Sequence, residues 1–367
     1  MKSRDQTVTF LTLAAALVAC GESLPTPAAD ALVPVVVTER VGEDSDDPAL
    51  WINPDDPAAS LVLGTDKSET NGGVYVFDLN GRIDRARSAL GLRRPNNVDV
   101  QTGFVFEGDT IAIAVATERL SMALRVFRLP EMTPIDGGGI TVFGGDEARA
   151  PMGVALYRRP SDGAVFAFVG GKWGPTEGYV NQLRLFDVGD GTVGGELVRE
   201  FGVFSGAKEI EAMAVDDELG WFYYSDEGVG IRKYAADPDA PDAGRELALF
   251  GTDDFAEDHE GIAFWTRDDG TGWIVISNQQ ANSLNVYRRE GGAGGPHDHQ
   301  LVAEIPVQAL ETDGVEATSQ PLGPEFPNGA VIMMSTDATF HIYRWEDVEA
   351  RIESAPSASP GVPDSPQ

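Results

Sequence analysis

An all-β fold built as a six-bladed β-propeller is what this sequence predicts. A short motif closed by an aromatic residue recurs six times, each copy follows a β-rich run ending in polar residues, and no stretch sustains a 3.6-residue apolar period. The copies are Val74-Tyr75-Val76-Phe77, Leu124-Arg125-Val126-Phe127, Leu183-Arg184-Leu185-Phe186, Ile231-Arg232-Lys233-Tyr234, Leu284-Asn285-Val286-Tyr287 and Phe340-His341-Ile342-Tyr343. Their final aromatics lie 50, 59, 48, 53 and 56 residues apart. The 42 glycines and 23 prolines supply turns for many short strands. Meanders of about 50 residues that cover one another's faces stack as blades and leave only short edges.

Two strands precede or join each motif. The run before it is Leu61 to Asp66, Ile111 to Glu118, Val165 to Gly170, Trp221 to Asp226, Trp273 to Asn278 and Ala330 to Ser335. Ahead of these stand Pro48 to Ile52, Asn97 to Gln101, Gly153 to Tyr157, Ala212 to Asp216, Gly261 to Phe264 and a weaker sixth strand near Leu322. Turns such as Ser161-Asp162-Gly163 and Asp268-Asp269-Gly270 make the pairs antiparallel. Asp216-Asp217-Glu218 before Gly220 reads as a hairpin turn.

At the N-terminus, Lys2 and Arg4 precede an apolar run from Thr7 to Ala19, too short to span a bilayer but suited to a signal-peptide core. Leu17-Val18-Ala19-Cys20 resembles a bacterial lipobox, so residues 1–19 are expected to be removed and Cys20, the single cysteine, to carry a lipid. The expected divisions are a leader at 1–19, a flexible tether and first strand at 20–40, the propeller at 41–349 and a disordered tail at 350–367. An exported, lipid-anchored monomer follows, touching a membrane only through Cys20. A chain with one cysteine forms no internal disulfide, which makes bound metal the candidate cross-link.

With 59 acidic against 27 basic residues, the formal charge is −32, which repels a phosphate backbone and excludes general nucleic-acid binding. Cations are the expected partners. The acids are not scattered: Asp46-Asp47, Asn96-Asn97 with Asp99, Glu209 and Glu211, Asp258 and Glu260, and Asp313 with Glu316 stand where first strands begin. Asp66-Lys67, Glu118-Arg119, Lys172, Asp226-Glu227, Asn278-Gln279 and Asp337 stand where second strands end. Antiparallel pairing puts both sets on one rim, at the mouth of the central channel. Carboxylates crowded there need cations, and oxygen-only donors suit calcium. Zinc spacing, a P-loop, a dinucleotide fingerprint and an EF-hand loop are absent, and His259 between two acids reads as a strand residue facing away from the channel. Lys67, Arg119 and Lys172 add an anion grip for phosphate esters.

The ordered set Asp44-Ser45-Asp46-Asp47-Pro48-Ala49-Leu50-Trp51, Gly64-Thr65-Asp66-Lys67, Asn96-Asn97-Val98-Asp99-Val100, Asp258-His259-Glu260-Gly261, Thr312-Asp313-Gly314 and Leu322-Gly323-Pro324-Glu325-Phe326-Pro327 resembles the β-propeller phytases, calcium-dependent phosphatases of myo-inositol hexakisphosphate, from about Val41 to Trp345. The resemblance implies several calcium ions. Asp47 with the carbonyls of Pro48 and Val98 would hold one, and Asp313 with Asp337 a structural one. Asp46, Glu211, Asp226 or Glu227, Asp258 and Glu260 match the catalytic cluster, and Lys67, Arg119 and Lys172 match positions that grip substrate phosphate. An acidic ligand upstream of Asp46 is Glu43 or Glu39.

The chain departs from the family at Met152, Trp173, Gln101 and Ala212, and between Asp337 and Phe340 it is short. Three readings result: a calcium-dependent phytase acting on phytate or calcium-phytate, a calcium-dependent lactonase-type hydrolase, and a lipid-anchored calcium-binding propeller without turnover. The three basic residues argue against the lactonase.

Overall fold

Four-stranded antiparallel meanders recur around a ring, because each β-rich run is apolar on both faces and is covered only by its neighbours. The computed structural model describes residues 26–355. The expected leader, Cys20 and residues 356–367 lie outside them.

Six separate sheets form the blades of a β-propeller. Blade 1 contains Ser45–Trp51, Leu61–Asp66, Gly72–Asp78 and Ala89–Leu92, and blade 2 contains Pro95–Phe106, Asp109–Glu118, Ala123–Leu129 and Ile140–Thr141, with Thr133–Pro134 alongside. Blade 3 is Pro151–Arg158, Val165–Gly171, Glu177–Asp187 and Val193–Val203. Blade 4 is Met213–Asp216, Trp221–Asp226, Gly230–Ala235 and Ala248–Phe250. Blade 5 is His259–Thr266, Gly272–Asn278, Ser283–Arg288 and Leu301–Pro306. Blade 6 has Val315–Thr318, Ala330–Ser335 and Thr339–Arg344, and Val36–Val37 from the N-terminus completes it.

The core is divided in the same way. Buried apolar residues form six clusters, one at each contact between successive blades: Phe168 stacks on Phe222 at 4.1 Å between blades 3 and 4, and Phe77 meets Phe340 edge-on between blades 1 and 6. Burial on both faces explains why the second strands read as near-continuous apolar runs rather than alternating ones.

Three expectations need correction. The first strand of blade 6 is Val315–Thr318, directly after Asp313-Gly314, not a segment near Leu322. Leu322 instead accommodates a turn, its N–H donating to the Phe326 carbonyl at 2.9 Å, and both side chains fill the cluster between blades 6 and 1. The segment expected as a flexible tether and first strand at 20–40 is already docked at residue 31, because Ala31 and Leu32 are buried and Leu32 N–H donates to the Pro306 carbonyl at 2.8 Å. The tail begins later than residue 350. Trp345–Ser354 is a helix that buries Trp345, Val348 and Ile352 on one face, with Trp345 stacked 4.4 Å from Trp265.

The first strands line the channel so closely that side chains are excluded at points. A Cβ added to Gly153 would stand 2.0 Å from the Glu211 carbonyl oxygen of the next blade. Gly153→Ala is therefore expected to lower stability by about 1–3 kcal/mol and to displace Glu211. Chemical denaturation checks the first effect, and an unchanged midpoint would show that the blades part without cost.

Candidate active site

One arrangement repeats in every blade and builds the channel mouth. The second strand ends at Asp66, Glu118, Gly171, Asp226, Asn278 and Ser335 in blades 1 to 6. Except in blade 3, that residue's side chain accepts a backbone N–H from the segment crossing over from the previous blade: Glu43 and Asp44 donate to Asp66, Arg93 to Glu118, Ser205 to Asp226, Ala256 to Asn278 and Leu310 to Ser335. The next residue along, Lys67, Arg119, Lys172, Glu227, Gln279 or Thr336, donates its own N–H to that crossover at 2.8 to 3.5 Å. These six residues form an outer ring at the mouth.

An inner ring comes from the start of the first strands. Four of those strands carry a register shift there, at Ser45/Pro48, Pro95/Val98, Pro151/Val154 and His259/Ile262. A bulge turns a side chain out of the ladder, and here it supplies Asp46, Asn96, Met152 and Glu260. Glu211 and Asp313 hold the corresponding places in blades 4 and 6. The rings are polarised in opposite senses: acids occupy the inner ring in blades 4, 5, 6 and 1, whereas the outer ring is basic in blades 1, 2 and 3.

Side-chain contacts confirm that the two rings meet. Lys67 Nζ donates to Asp46 Oδ1 at 2.8 Å and to Asp313 Oδ2 at 2.7 Å. Asn96 Nδ2 donates to Asp46 Oδ2 at 3.1 Å and to Glu211 Oε1 at 2.8 Å, and Gln279 Nε2 donates to Asp313. Lys172 pairs with Glu209, and Lys208 with Asp258, whose carboxylate also receives Gln280 Nε2 at 2.8 Å. Arg119 is buried with its Nε unpartnered, and Glu260 Oε2, Asn96 Oδ1 and Asn97 Oδ1 are buried without partners as well.

Burial dominates the electrostatics. It pushes the carboxyls of Glu211 and Glu260 well above the usual range, reinforced by Asp46 for Glu211 and by Glu227 for Glu260. The same cause, with Asp258 and Glu209 adding repulsion, takes Glu227 to about 7, and Asp313 rises to about 6 although Lys67 pulls against it. Burial draws the Lys67 ammonium down, but Asp46, Asp313 and Glu211 more than reverse this and leave it raised. Burial lowers Arg119. More acid is packed here than the lysines neutralise.

Below the mouth lies a channel cavity of about 210 Å³ whose wall includes Asp47, Pro48, Val98, Asp99 and Glu316. Val98 N–H donates to Asp47 Oδ2 at 3.0 Å, and Leu156 N–H to Asp99 Oδ2 at 2.7 Å, so these acids also tie first strands together. Burial raises Asp47 well above the usual range, Asp99 to about 7 and Glu316 to about 8. Gln101 points to the far end, donating to Asp217 Oδ2 at 2.7 Å.

Asp46, Glu211, Glu227, Asp258, Glu260, Lys67, Arg119 and Lys172 thus stand together, and Asp47, Pro48 and Val98 stand below them. Two expected residues fall elsewhere. Asp226 is a crossover anchor, fully buried and held by Arg232 at 2.8 Å and by Ser205, so Glu227 is the residue at the mouth. Asp337 lies one residue beyond the outer ring and accepts from Thr339 Oγ1 at 2.6 Å, while Asp313 joins Lys67 rather than Asp337. His259 faces away, its Nε2 3.0 Å from the Gly251 carbonyl and its ring against Phe255. Lys208 escaped the sequence reading. Its only signal is a basic residue in the crossover just before Glu209. Among the described residues no three acidic, histidine or cysteine side chains close around one point as a finished ion site. The lysines hold those carboxylates instead.

A family model described as phytase matches residues 7–356. A 3-phytase of Bacillus subtilis (strain 168) is 28% identical over 334 residues, covering 86% of this chain and 83% of its own. Among solved structures, the WD40 repeats of RRP9 align over 88% of this chain and 99% of theirs at 10% identity, with a TM-score of 0.49. With a match over residues 7–356, the chain belongs to the phytase family of hydrolases.

Proposed function

We propose that the protein is a calcium-dependent phytase that releases inorganic phosphate from myo-inositol hexakisphosphate or its calcium complex. The observation that carries the reading is the opposed polarity of the two rings: an acidic half and a basic half face one mouth. A chain of charge −32 accepts a polyanion only where cations accompany it. The donor set fits calcium, since it is all oxygen and includes the unpartnered Glu260 Oε2 and Asn96 Oδ1.

Asp46, Glu211, Glu227, Asp258, Glu260 and Asp313 would hold the ions at the mouth, and Asp47 with the Pro48 and Val98 carbonyls one in the channel. Bound there, calcium supplies charge neutralisation of phosphate oxygens and a lowered pKa for water. Lys67, Arg119 and Lys172 bind and orient the phosphate, and Arg119, buried and in no ion pair among the described residues, contributes two-point recognition without first breaking one. Water adds to phosphorus as the ester P–O bond breaks. The proton that water loses passes to solvent at the mouth, and the leaving alkoxide takes one from it.

The test is phosphate release from phytate by the mature chain, with millimolar-range calcium and with chelator. Release is expected only with calcium, and calcium-independent release would overturn the mechanism. The melting temperature should also fall on chelation, because a ligand bound to the folded state alone stabilises it. An unchanged melting temperature would mean that the acidic rings hold no calcium.

A further inference from the structure

The residue just outside each outer-ring position is polar or glycine in four blades, namely Ser68, Gly228, Gln280 and Asp337. In blades 2 and 3 it is Leu120 and Trp173, which follow Arg119 and Lys172 and are 41% and 52% exposed. A large apolar side chain left in water beside a charged mouth is informative in a way that a scattered surface leucine is not. The same two blades are the ones whose inner-ring residue is not an acid: Asn96 and Met152 stand there, Met152 buried. Blades 2 and 3 therefore present a sector with two cations, no carboxylate in the inner ring, and an apolar rim.

We propose that Leu120 and Trp173 form a ledge that receives the organic group of an aryl phosphate monoester while Arg119 and Lys172 hold its phosphate, which makes Trp173 a specificity-determining residue. This rests on the phosphomonoesterase reading above. A flat aromatic group gains face or edge contact with the indole, whereas a small alkyl alcohol gains almost nothing from it. The ledge acts on the ester group and not on the phosphate, so it should appear in KM more than in kcat.

The experiment compares 4-nitrophenyl phosphate with glycerol 2-phosphate, both with calcium, for the mature chain and for Trp173→Ala and Trp173→Phe. Trp173→Ala should raise KM for the aryl ester roughly tenfold and leave glycerol 2-phosphate within about twofold, and Trp173→Phe should restore most of the difference. Equal changes for both esters, or no change for either, overturn the ledge. A second measurement needs no turnover: the non-hydrolysable phenylphosphonate should quench tryptophan fluorescence, and the quench should vanish in Trp173→Phe. Quenching that persists in Trp173→Phe, or is absent from the unaltered chain, overturns the proposal. If neither these esters nor phytate is hydrolysed but the Trp173-dependent quench is present, the hydrolase reading fails and the ledge stands.

Discussion

Lys67→Met is expected to lower phosphate release by about 10²–10³-fold while leaving calcium binding at least as tight as before. The two effects have opposite signs for one reason. Lys67 bridges Asp46 and Asp313, at 2.8 and 2.7 Å, and only 18% of its side chain is exposed. Those carboxylates are both its counter-ions and, in the proposed function, ligands for calcium. Removing the ammonium deletes a positive charge that should face substrate phosphate, and it makes the acidic ring more negative toward a cation. Without calcium, the variant should also lose stability, because Asp46 and Asp313 are left buried and unpaired. Phosphate-release kinetics, calcium titration calorimetry and melting with and without calcium separate the three effects. Activity within tenfold of the unaltered chain would show that Lys67 is a counter-ion only.

The second large effect lies far from the mouth. Arg289→Met should destabilise the chain by about 3–5 kcal/mol, the usual consequence of breaking a buried ion pair from one side. Arg289 is fully buried and grips Asp216 with two hydrogen bonds of 2.6 Å, through Nε and Nη2, and its Nη2 also reaches Glu218 at 2.8 Å. Asp216 closes the first strand of blade 4, and Arg289 follows the third strand of blade 5, so the pair bolts adjacent blades together. The double variant Asp216→Leu with Arg289→Met should recover much of the loss, since neither charge then remains buried alone. Urea denaturation at fixed calcium measures both. Equal destabilisation of single and double variants would assign the loss to packing rather than to the stranded carboxylate.

The repeat that reveals the blades was legible because it lies in second and third strands, whose burial on both faces writes long apolar runs ending in an aromatic. First strands are harder to see. They line a polar channel, and the one in blade 6 has four residues, Val315–Thr318, with Glu316 turned into the cavity. An apolar pattern therefore points to Leu322 instead. The helix was hidden by length: Trp345, Val348 and Ile352 mark its buried face within ten residues, ahead of a tail of proline and serine. At the site, ring membership was legible but adjacent residues were not separable. Asp226 and Glu227 differ only in which one sits at the last ladder position, and Asp226 Oδ2 is spoken for by Arg232. Such a choice depends on strand register, and a shift of one residue reverses it.

The closure of the ring has a mechanical meaning. Blade 6 is completed by Val36–Val37, and the surrounding segment is laced at Val35 N–H to Ile342, Thr38 N–H to Phe340 and Val41 N–H to Ala338. A pull on the N-terminus would load the Leu32 contact with Pro306 and then these bonds. Because they sit on the outer edge of an antiparallel ladder, an outward force opens them one after another like a zip, whereas a force along the strand strains them all at once. The direction of tension on the N-terminus thus decides whether the ring behaves as a clasp that releases or as a band that holds. Leu32, seated against Pro306 of blade 5, is the first tooth of that zip.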